Sequence, residues 1–117
     1  MKPLFWIASA KKDLLAMPED VRDTFGYALH LAQTGGMHKQ AKPLKGFGSA
    51  GVLEVFEDSD SGTYRAVYTV HLGNAVYVLH CFQKKSTHSI ATPKPDMVLI
   101  RSRLKAAETH ARGEGQQ

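Results

Sequence analysis

The strongest constraint on the fold is the segment "YRAVYTVHLGNAVYVLHCFQ", residues 64–83. Two runs rich in aromatic and β-branched side chains, residues 64–71 and 75–83, flank a short Leu-Gly-Asn connection. Such runs favour extended strands, and a glycine in a short connection favours a tight turn. The segment therefore predicts an antiparallel hairpin, and the rest of the chain must complete a sheet around it.

The N-terminal third predicts a strand followed by two helices. Residues 4–9, "LFWIAS", read as a short buried strand, and Ser9 can cap a short helix over residues 10–17. Pro18 interrupts that helix and suits the entry to a second one, which "TGG" at residues 34–36 ends. Apolar residues recur at helical spacing along the second helix: Val21, Phe25, Ala28, Leu29 and Ala32. We expect a helix hairpin whose apolar faces cover a sheet.

The remaining segments complete an α+β prediction. The glycine-rich residues 37–51 read as a long loop, residues 52–57 as a strand, and Thr92 with the nearby prolines as the entry to a helix reaching about Ala107. The predicted fold is a small, mostly antiparallel four-stranded sheet with an N-terminal helix hairpin and a C-terminal helix, all helices on one face. We expect residues 1–112 to form a single domain and residues 113–117 to form a disordered tail.

Composition narrows the class of protein further. The 117 residues suit one domain, and the lone Cys81 excludes intramolecular disulfides and multi-cysteine metal sites. Cys81 lies in an apolar run, so we interpret it as a small buried hydrophobe. No apolar stretch approaches the roughly 20 residues of a membrane span, and the short apolar run after Lys2 is shorter than a signal-peptide core. We expect a cytoplasmic protein. Its net charge of +4 favours polyanionic partners.

Three basic residues are the leading candidates for chemistry. Arg65 lies inside a strand, where an arginine must pair, stack or face a cavity, so a salt bridge to Glu54 or Glu57 is the alternative to a functional role. Lys84 and Lys85 end the last strand; they are either solvated edge lysines or part of an anion site. Arg65 and the lysine pair both lie at the end of the hairpin away from its turn. They can therefore converge on one anion.

Other polar motifs carry weaker signals. His38 and His88 lie in polar loops, where each is either an exposed histidine or a general base or RNA contact. His71 and His80 are not spaced as ligands, and we predict no metal site. The segment "GFGSAG" lacks the phosphate-loop pattern and precedes a strand rather than a helix.

Three segments together resemble a known group of proteins. They are "KPLKGFGSAGVLEVF", "GTYRAVYTV" and "AVYVLHCFQKKSTHSIATPKPDMVLIRSRL". In this order and spacing they are similar to the phage-derived Gp49-like, HigB-type branch of the RelE/ParE toxin superfamily. The resemblance covers residues 3–108. Its most specific parts are "YR" in the middle strand, "FQKKS" at the strand exit and "TP" before the last helix.

The resemblance implies the toxin of a type II toxin–antitoxin system, with a RelE-like fold. Such a toxin is a metal-independent endoribonuclease without a cofactor that enters the ribosomal A site and cleaves mRNA. Its partners would be the ribosome with its mRNA and a cognate helix-turn-helix antitoxin, with no membrane partner. By this resemblance Arg65 holds the scissile phosphate, and Lys84 and Lys85 form the basic strand end.

Further residues are predicted to contact RNA. Lys45, in "LKG", matches a position that often contacts RNA in the resembled group. Aromatic side chains near the basic cluster can stack an unpaired base, and fixed cations make binding salt-sensitive. The predicted RNA-binding residues are Lys42, Lys45, Tyr68 and His88.

One departure keeps alternative functions open. Many relatives continue "W-E-L-R" where this chain has "LEVF", so Phe56 stands in place of an arginine and one anion contact is removed. Two other functions are therefore considered. One is a ParE-like, non-nuclease toxin that inhibits DNA gyrase. The other is a catalytically idle module that binds nucleic acid.

Overall fold

The chain folds around one five-stranded sheet. The computed structural model describes residues 1–48, 50–84 and 91–115. The sheet order is β1-β5-β4-β3-β2, in which β1 runs parallel to β5 and the other pairs are antiparallel. In chain order the elements are β1 (Leu4–Trp6), α1 (Ala10–Leu15), α2 (Glu19–Gln33), β2 (Ala41–Pro43), β3 (Val52–Ser59), β4 (Gly62–Leu72), β5 (Ala75–Lys84) and α3 (Lys94–Gly115).

The second helix forms as its sequence predicts. Pro18 is its N-cap residue, and Glu19 and Asp20 place two carboxylates at the positive end of the helix dipole. All five apolar positions predicted to face the sheet are buried. The helix ends at Gln33 with Thr34 as its C-cap, and Gly35 takes the left-handed conformation (φ +91°) that a glycine adopts at little cost.

The predicted hairpin is β4–β5, and its pairing is interrupted twice. Gly73 (φ +58°) and Asn74 form the turn. Val67 pairs with His80 and Tyr68 pairs with Val78, so Leu79 is an extra, bulged residue of β5. A second shift, between Thr69 and Leu72, restores the original register of the two strands. The bulge at Leu79 reverses the alternation of β5, which sends Phe82 and Lys84 to the face that α3 covers.

The helices cover both faces of the sheet, so the prediction that all of them pack on one face is wrong. α1 packs mainly on β5 and α2 mainly on β3, and their apolar side chains share one core with Tyr68, Val76 and Val78. α3 covers the opposite face through Ile100, Leu104 and Ala107. The physical reason is β5 itself, which is buried at every position from Ala75 to Phe82 and therefore needs cover on both sides.

The sheet has five strands because the segment predicted as a loop contains a further one. β2 pairs antiparallel with β3, joining Ala41 to Val55 and Pro43 to Leu53. Three residues are too few to show a period of two, and Pro43 is tolerated because β2 is the edge of the sheet. The prediction of four strands is therefore wrong by one edge strand.

Arg103 anchors α3 to the rest of the fold. Its Nη1 donates to the carbonyl of Leu79 (3.0 Å) and lies 3.2 Å from Nδ1 of His80, and its Nη2 donates to Oγ of Ser9 (3.1 Å). His80 in turn contacts Asp96 of α3 through Nε2 (2.7 Å). Among the described residues, no helix combines the length and the apolar character needed to cross a membrane.

Candidate functional site

A basic cavity lies between the β2 edge of the sheet and the start of α3. Its volume is about 260 Å³. It is lined by Lys42, Pro43, Leu44, Lys45, Glu54, Arg65, Ala91, Thr92 and Met97. Three cations thus face one carboxylate, with apolar side chains beside them, which is a suitable environment for an anionic ligand that also carries an apolar group.

Arg65 and Glu54 form a buried ion pair in this cavity. Arg65 pairs across the sheet with Phe56, two residues from Glu54 on the same face of β3. Its Nη1 donates to Oε1 of Glu54 at 2.7 Å, and the two side chains are only 9% and 1% exposed. The second carboxylate oxygen, Oε2, accepts a hydrogen bond from Oγ1 of Thr92 (3.3 Å). The salt bridge considered as an alternative to a functional role is present, and Arg65 nevertheless lines the cavity.

One buried N–H donor of the Arg65 guanidinium has no hydrogen-bond partner among the described residues. This donor is Nε–H. A buried donor without a partner costs about 1–3 kcal/mol, so this position favours a ligand that brings an oxygen to it. Phosphate oxygens suit a guanidinium particularly well because they accept charge-assisted hydrogen bonds.

Lys84 lies beside Arg65 on the same face of the hairpin. Arg65 is paired with Phe82 and Thr63 with Lys84, so Arg65 and Lys84 are diagonal neighbours, as their distances from the turn predicted. Lys84 is only 7% exposed. Burial lowers its pKa, Arg65 and Lys42 lower it further, and the nearby Glu54 carboxylate acts in the opposite direction. A lysine in this setting releases its proton more readily than an exposed one.

The outer wall of the cavity is fixed by contacts with aromatic rings. Lys42 is exposed, and its Nζ lies 6.0 Å from the centroid of the Phe56 ring. On the other side the Arg101 guanidinium lies 4.8 Å from the Phe47 ring centroid, which ties the loop carrying Lys45 to α3. Gly46 (φ +99°) allows this approach, since a Cβ there would lie 3.2 Å from Nη2 of Arg101.

Not every predicted site residue joins this cavity. Tyr68 is fully buried on the opposite face, in the core below α1 and α2, where burial raises its pKa to about 12. That position does not suit the predicted stacking on a base, because no ring face is accessible. Lys85 and His88 lie outside the described residues. His38 is buried against Tyr27, and its Nδ1 accepts the backbone N–H of Gln40.

Cys81 is a buried hydrophobe, as its apolar surroundings predicted. It is 2% exposed and lies in the core shared with α1 and α2. Burial raises the pKa of its thiol to about 12, Asp13 acts in the same direction, and Arg103 opposes them. The thiol stays protonated at neutral pH and has no nucleophilic role.

Sequence reasoning missed part of the cavity wall. Glu54 was considered only as a possible partner of Arg65, and Thr92 only as a helix cap. Pro43, Leu44 and Met97 carried no signal, since apolar residues in loops and helices have many other uses. The one usable signal was the carboxylate of Glu54 between Leu53 and Val55, because a charged residue in such a strand requires a partner.

The described fold and site define a class of protein: a small α+β domain with a buried arginine–carboxylate pair in a basic cavity at one edge of its sheet. Residues 12–105 match the family of phage-derived Gp49-like proteins (DUF891), and the chain belongs to this family. The family is associated with toxin–antitoxin systems, as the resemblance of the three sequence segments predicted. A comparison with curated proteins gives no match.

Proposed function

We propose that this protein is the toxin of a type II toxin–antitoxin system and acts as a ribosome-dependent mRNA endoribonuclease. The observation that carries the proposal is the placement of Arg65 and Lys84 side by side on the face of the sheet that borders the basic cavity. Membership of the Gp49-like family supports the toxin class.

The two buried cations suit cleavage by an internal nucleophile. The ribose 2′-hydroxyl loses its proton to solvent water as its oxygen attacks the adjacent phosphorus. A 2′,3′-cyclic phosphate forms, the bond to the 5′-oxygen breaks, and that oxygen leaves with a proton. Arg65 is suited to stabilise the negative charge that grows on the phosphate oxygens in the transition state. Lys84, whose pKa is lowered by burial, is suited to deliver the proton to the leaving oxygen.

The exposed lysines of the cavity suit binding of the RNA backbone. Lys42 and Lys45 stand at its mouth, and each can pair with a phosphate next to the one that is cleaved. Lys85 and His88 remain predicted contributors. In the proposed setting the protein works in the cytoplasm on mRNA held in the ribosome, and a helix-turn-helix antitoxin neutralises it.

Growth and mRNA cleavage after induction test the proposal. Arg65→Ala alone is a poor variant because it strands the buried Glu54 charge, which typically costs 3–5 kcal/mol. The double variant Glu54→Gln with Arg65→Gln removes both charges at once. We expect the wild type to arrest growth and cut translated mRNA, and the double variant to do neither.

Glu57→Gln is the matched control. Glu57 lies on the same strand, but it contacts Thr24 and Gln40, away from the cavity. This variant should cleave mRNA like the wild type. A wild type that leaves translated mRNA intact would contradict the nuclease function, and inhibition of gyrase supercoiling by that same protein would identify the ParE-like alternative.

A separate observation favours the alternative of a catalytically idle module that binds nucleic acid. Phe56 lies beside Lys42 at the position where the resemblance implies an arginine in many relatives, so an anion contact expected from the resemblance is absent here. If the purified protein binds single-stranded RNA without cleaving it on or off the ribosome, the binding module is the correct function.

A further inference from the structure

We infer that Glu54 is a positioning residue that orients Arg65 so that its Nε–H is the donor offered to a phosphate oxygen in the cavity. This inference rests on the proposed function, since it assigns a task within the same site. Neither the sequence pattern nor membership of the family assigns Glu54 a role.

The hydrogen bonds around the pair support this assignment. The guanidinium is planar with its N–H groups in fixed directions, so the 2.7 Å bond from Nη1 to Oε1 restricts the whole group. Glu54 is restrained in turn by Thr92, whose hydroxyl binds Oε2. The chain from Thr92 through Glu54 to Arg65 therefore connects the entry of α3 to the guanidinium.

The buried Nε–H is the second observation. It has no acceptor among the described residues, although Arg65 is more than nine-tenths buried and lines the cavity. Buried donors are nearly always paired in folded proteins. An unpaired buried donor on a side chain that lines a cavity with a cationic mouth is suited to an anion that brings its own oxygen.

The charge of Glu54 has a second effect on the site. It offsets one of the cations that face it, and it reduces the repulsion between Arg65 and its neighbour Lys84. Removing only that charge should make the cavity bind anions more tightly while leaving the guanidinium less well oriented. Tighter binding with slower cleavage is a combination that simple loss of structure does not produce.

Arginine side-chain NMR with inorganic phosphate as the probe tests the orientation directly. In the wild type, phosphate should shift the Nε–H resonance of Arg65. In Glu54→Gln that resonance should already be displaced without phosphate. Thr92→Val should displace it in the same sense by a smaller amount, and Glu57→Gln should leave it where the wild type has it.

Binding and single-turnover cleavage of RNA supply the functional readout. The probe for binding is an RNA that lacks the 2′-hydroxyl at the cleavage position and so cannot be cut. We expect Glu54→Gln to bind it about three to ten times more tightly, because the negative charge that repels the RNA is removed. We also expect at least about a tenfold loss in the cleavage rate on ribosome-bound mRNA, an effect on the transition state rather than on binding. Urea unfolding of each variant checks that its fold is intact.

The outcomes separate the two proposals. If Glu54→Gln is folded and has wild-type cleavage and RNA affinity, the positioning role is overturned. It is also overturned if phosphate does not shift the Nε–H resonance of Arg65 in the wild type. If the wild type cleaves no RNA but shows the phosphate-dependent shift and its change in Glu54→Gln, the positioning role stands and the nuclease function falls.

Discussion

At the scale of single residues, Arg65 combines two roles that sequence reasoning treated as alternatives. It is paired with Glu54 inside the fold, and the same side chain lines the basic cavity. A buried pair is costly to desolvate and is often no more stabilising than apolar residues of similar volume. Its presence in a strand that could have carried an apolar residue points to a demand of function rather than of stability.

The lowered pKa of Lys84 predicts a signature in the pH dependence of stability. Between the folded pKa and the ordinary value of 10.5, the unfolded chain binds more protons than the native state. The free energy of unfolding then rises with pH through this window, because deprotonation removes the cost of a buried charge. In Lys84→Met this contribution is absent.

Urea denaturation at a series of pH values measures the effect. The difference between the free energies of unfolding of wild type and Lys84→Met should move in favour of the wild type as pH rises toward 10.5. Lys105→Met, at an exposed lysine of α3, should track the wild type. A constant difference would show that Lys84 titrates as an ordinary exposed lysine, and a falling one that its pKa is raised in the folded state; either would contradict the prediction.

At the scale of elements, the bulge at Leu79 determines what the hairpin presents to the cavity. Strict alternation along β5 alone, starting from Ala75, would place Lys84 on the face that α1 and α2 cover. The extra residue turns the last part of β5 over, so that His80, Phe82 and Lys84 share the face of Arg65. The second shift, between Thr69 and Leu72 of β4, restores the register that the turn sets, so the two irregularities together leave Arg65 and Lys84 on one face.

Arg103 is predicted to be a main anchor of α3. Arg103→Met keeps an unbranched side chain but removes the hydrogen bonds to Leu79 and Ser9 and the contact with His80. Because the acceptors are left partly unsatisfied, we expect a loss of about 1–3 kcal/mol in the free energy of unfolding. Lys105→Met on the same helix should change it by less than about 0.5 kcal/mol. Equal unfolding midpoints for the two variants would refute the anchoring role.

The elements that could be predicted are those with a strong local pattern. The apolar face of α2 and the β4–β5 hairpin follow from periodicity and turn residues, and the structure has both. β2 could not be predicted because three residues carry no period. The side on which α3 packs could not be predicted either, because it depends on which faces of β5 remain uncovered. The proximity of Arg65 and Lys84 was predictable from hairpin geometry, whereas Thr92 and Met97 of the cavity wall come from a segment distant in the sequence.

At the scale of the whole molecule, the basic character of the cavity predicts salt-sensitive binding. Affinity for single-stranded RNA should fall linearly with the logarithm of salt concentration, by a slope of about 0.7 for each phosphate contact. Lys42→Met and Lys45→Met should each reduce the magnitude of that slope by about this amount. Lys11→Met, at an exposed lysine of α1, is the control and should leave it unchanged.

Fluorescence anisotropy of a labelled RNA, from about 50 to about 200 mM salt, gives these slopes. Identical slopes for the three variants would place the RNA elsewhere on the surface. A loss of slope with Lys11→Met alone would move the RNA-binding surface to the opposite face, where α1 lies.

The parallel pairing of β1 with β5 decides when a nascent chain can complete its sheet. Residues 4–6 are synthesised well before their partners, residues 76–78. The wall of the cavity at Thr92 and Met97 emerges later still. Synthesis proceeds from the N-terminus, and non-local pairings wait for their distant partners. The cavity can therefore exist only after Met97 has been translated, and the antitoxin of the proposed function would be needed only from that moment.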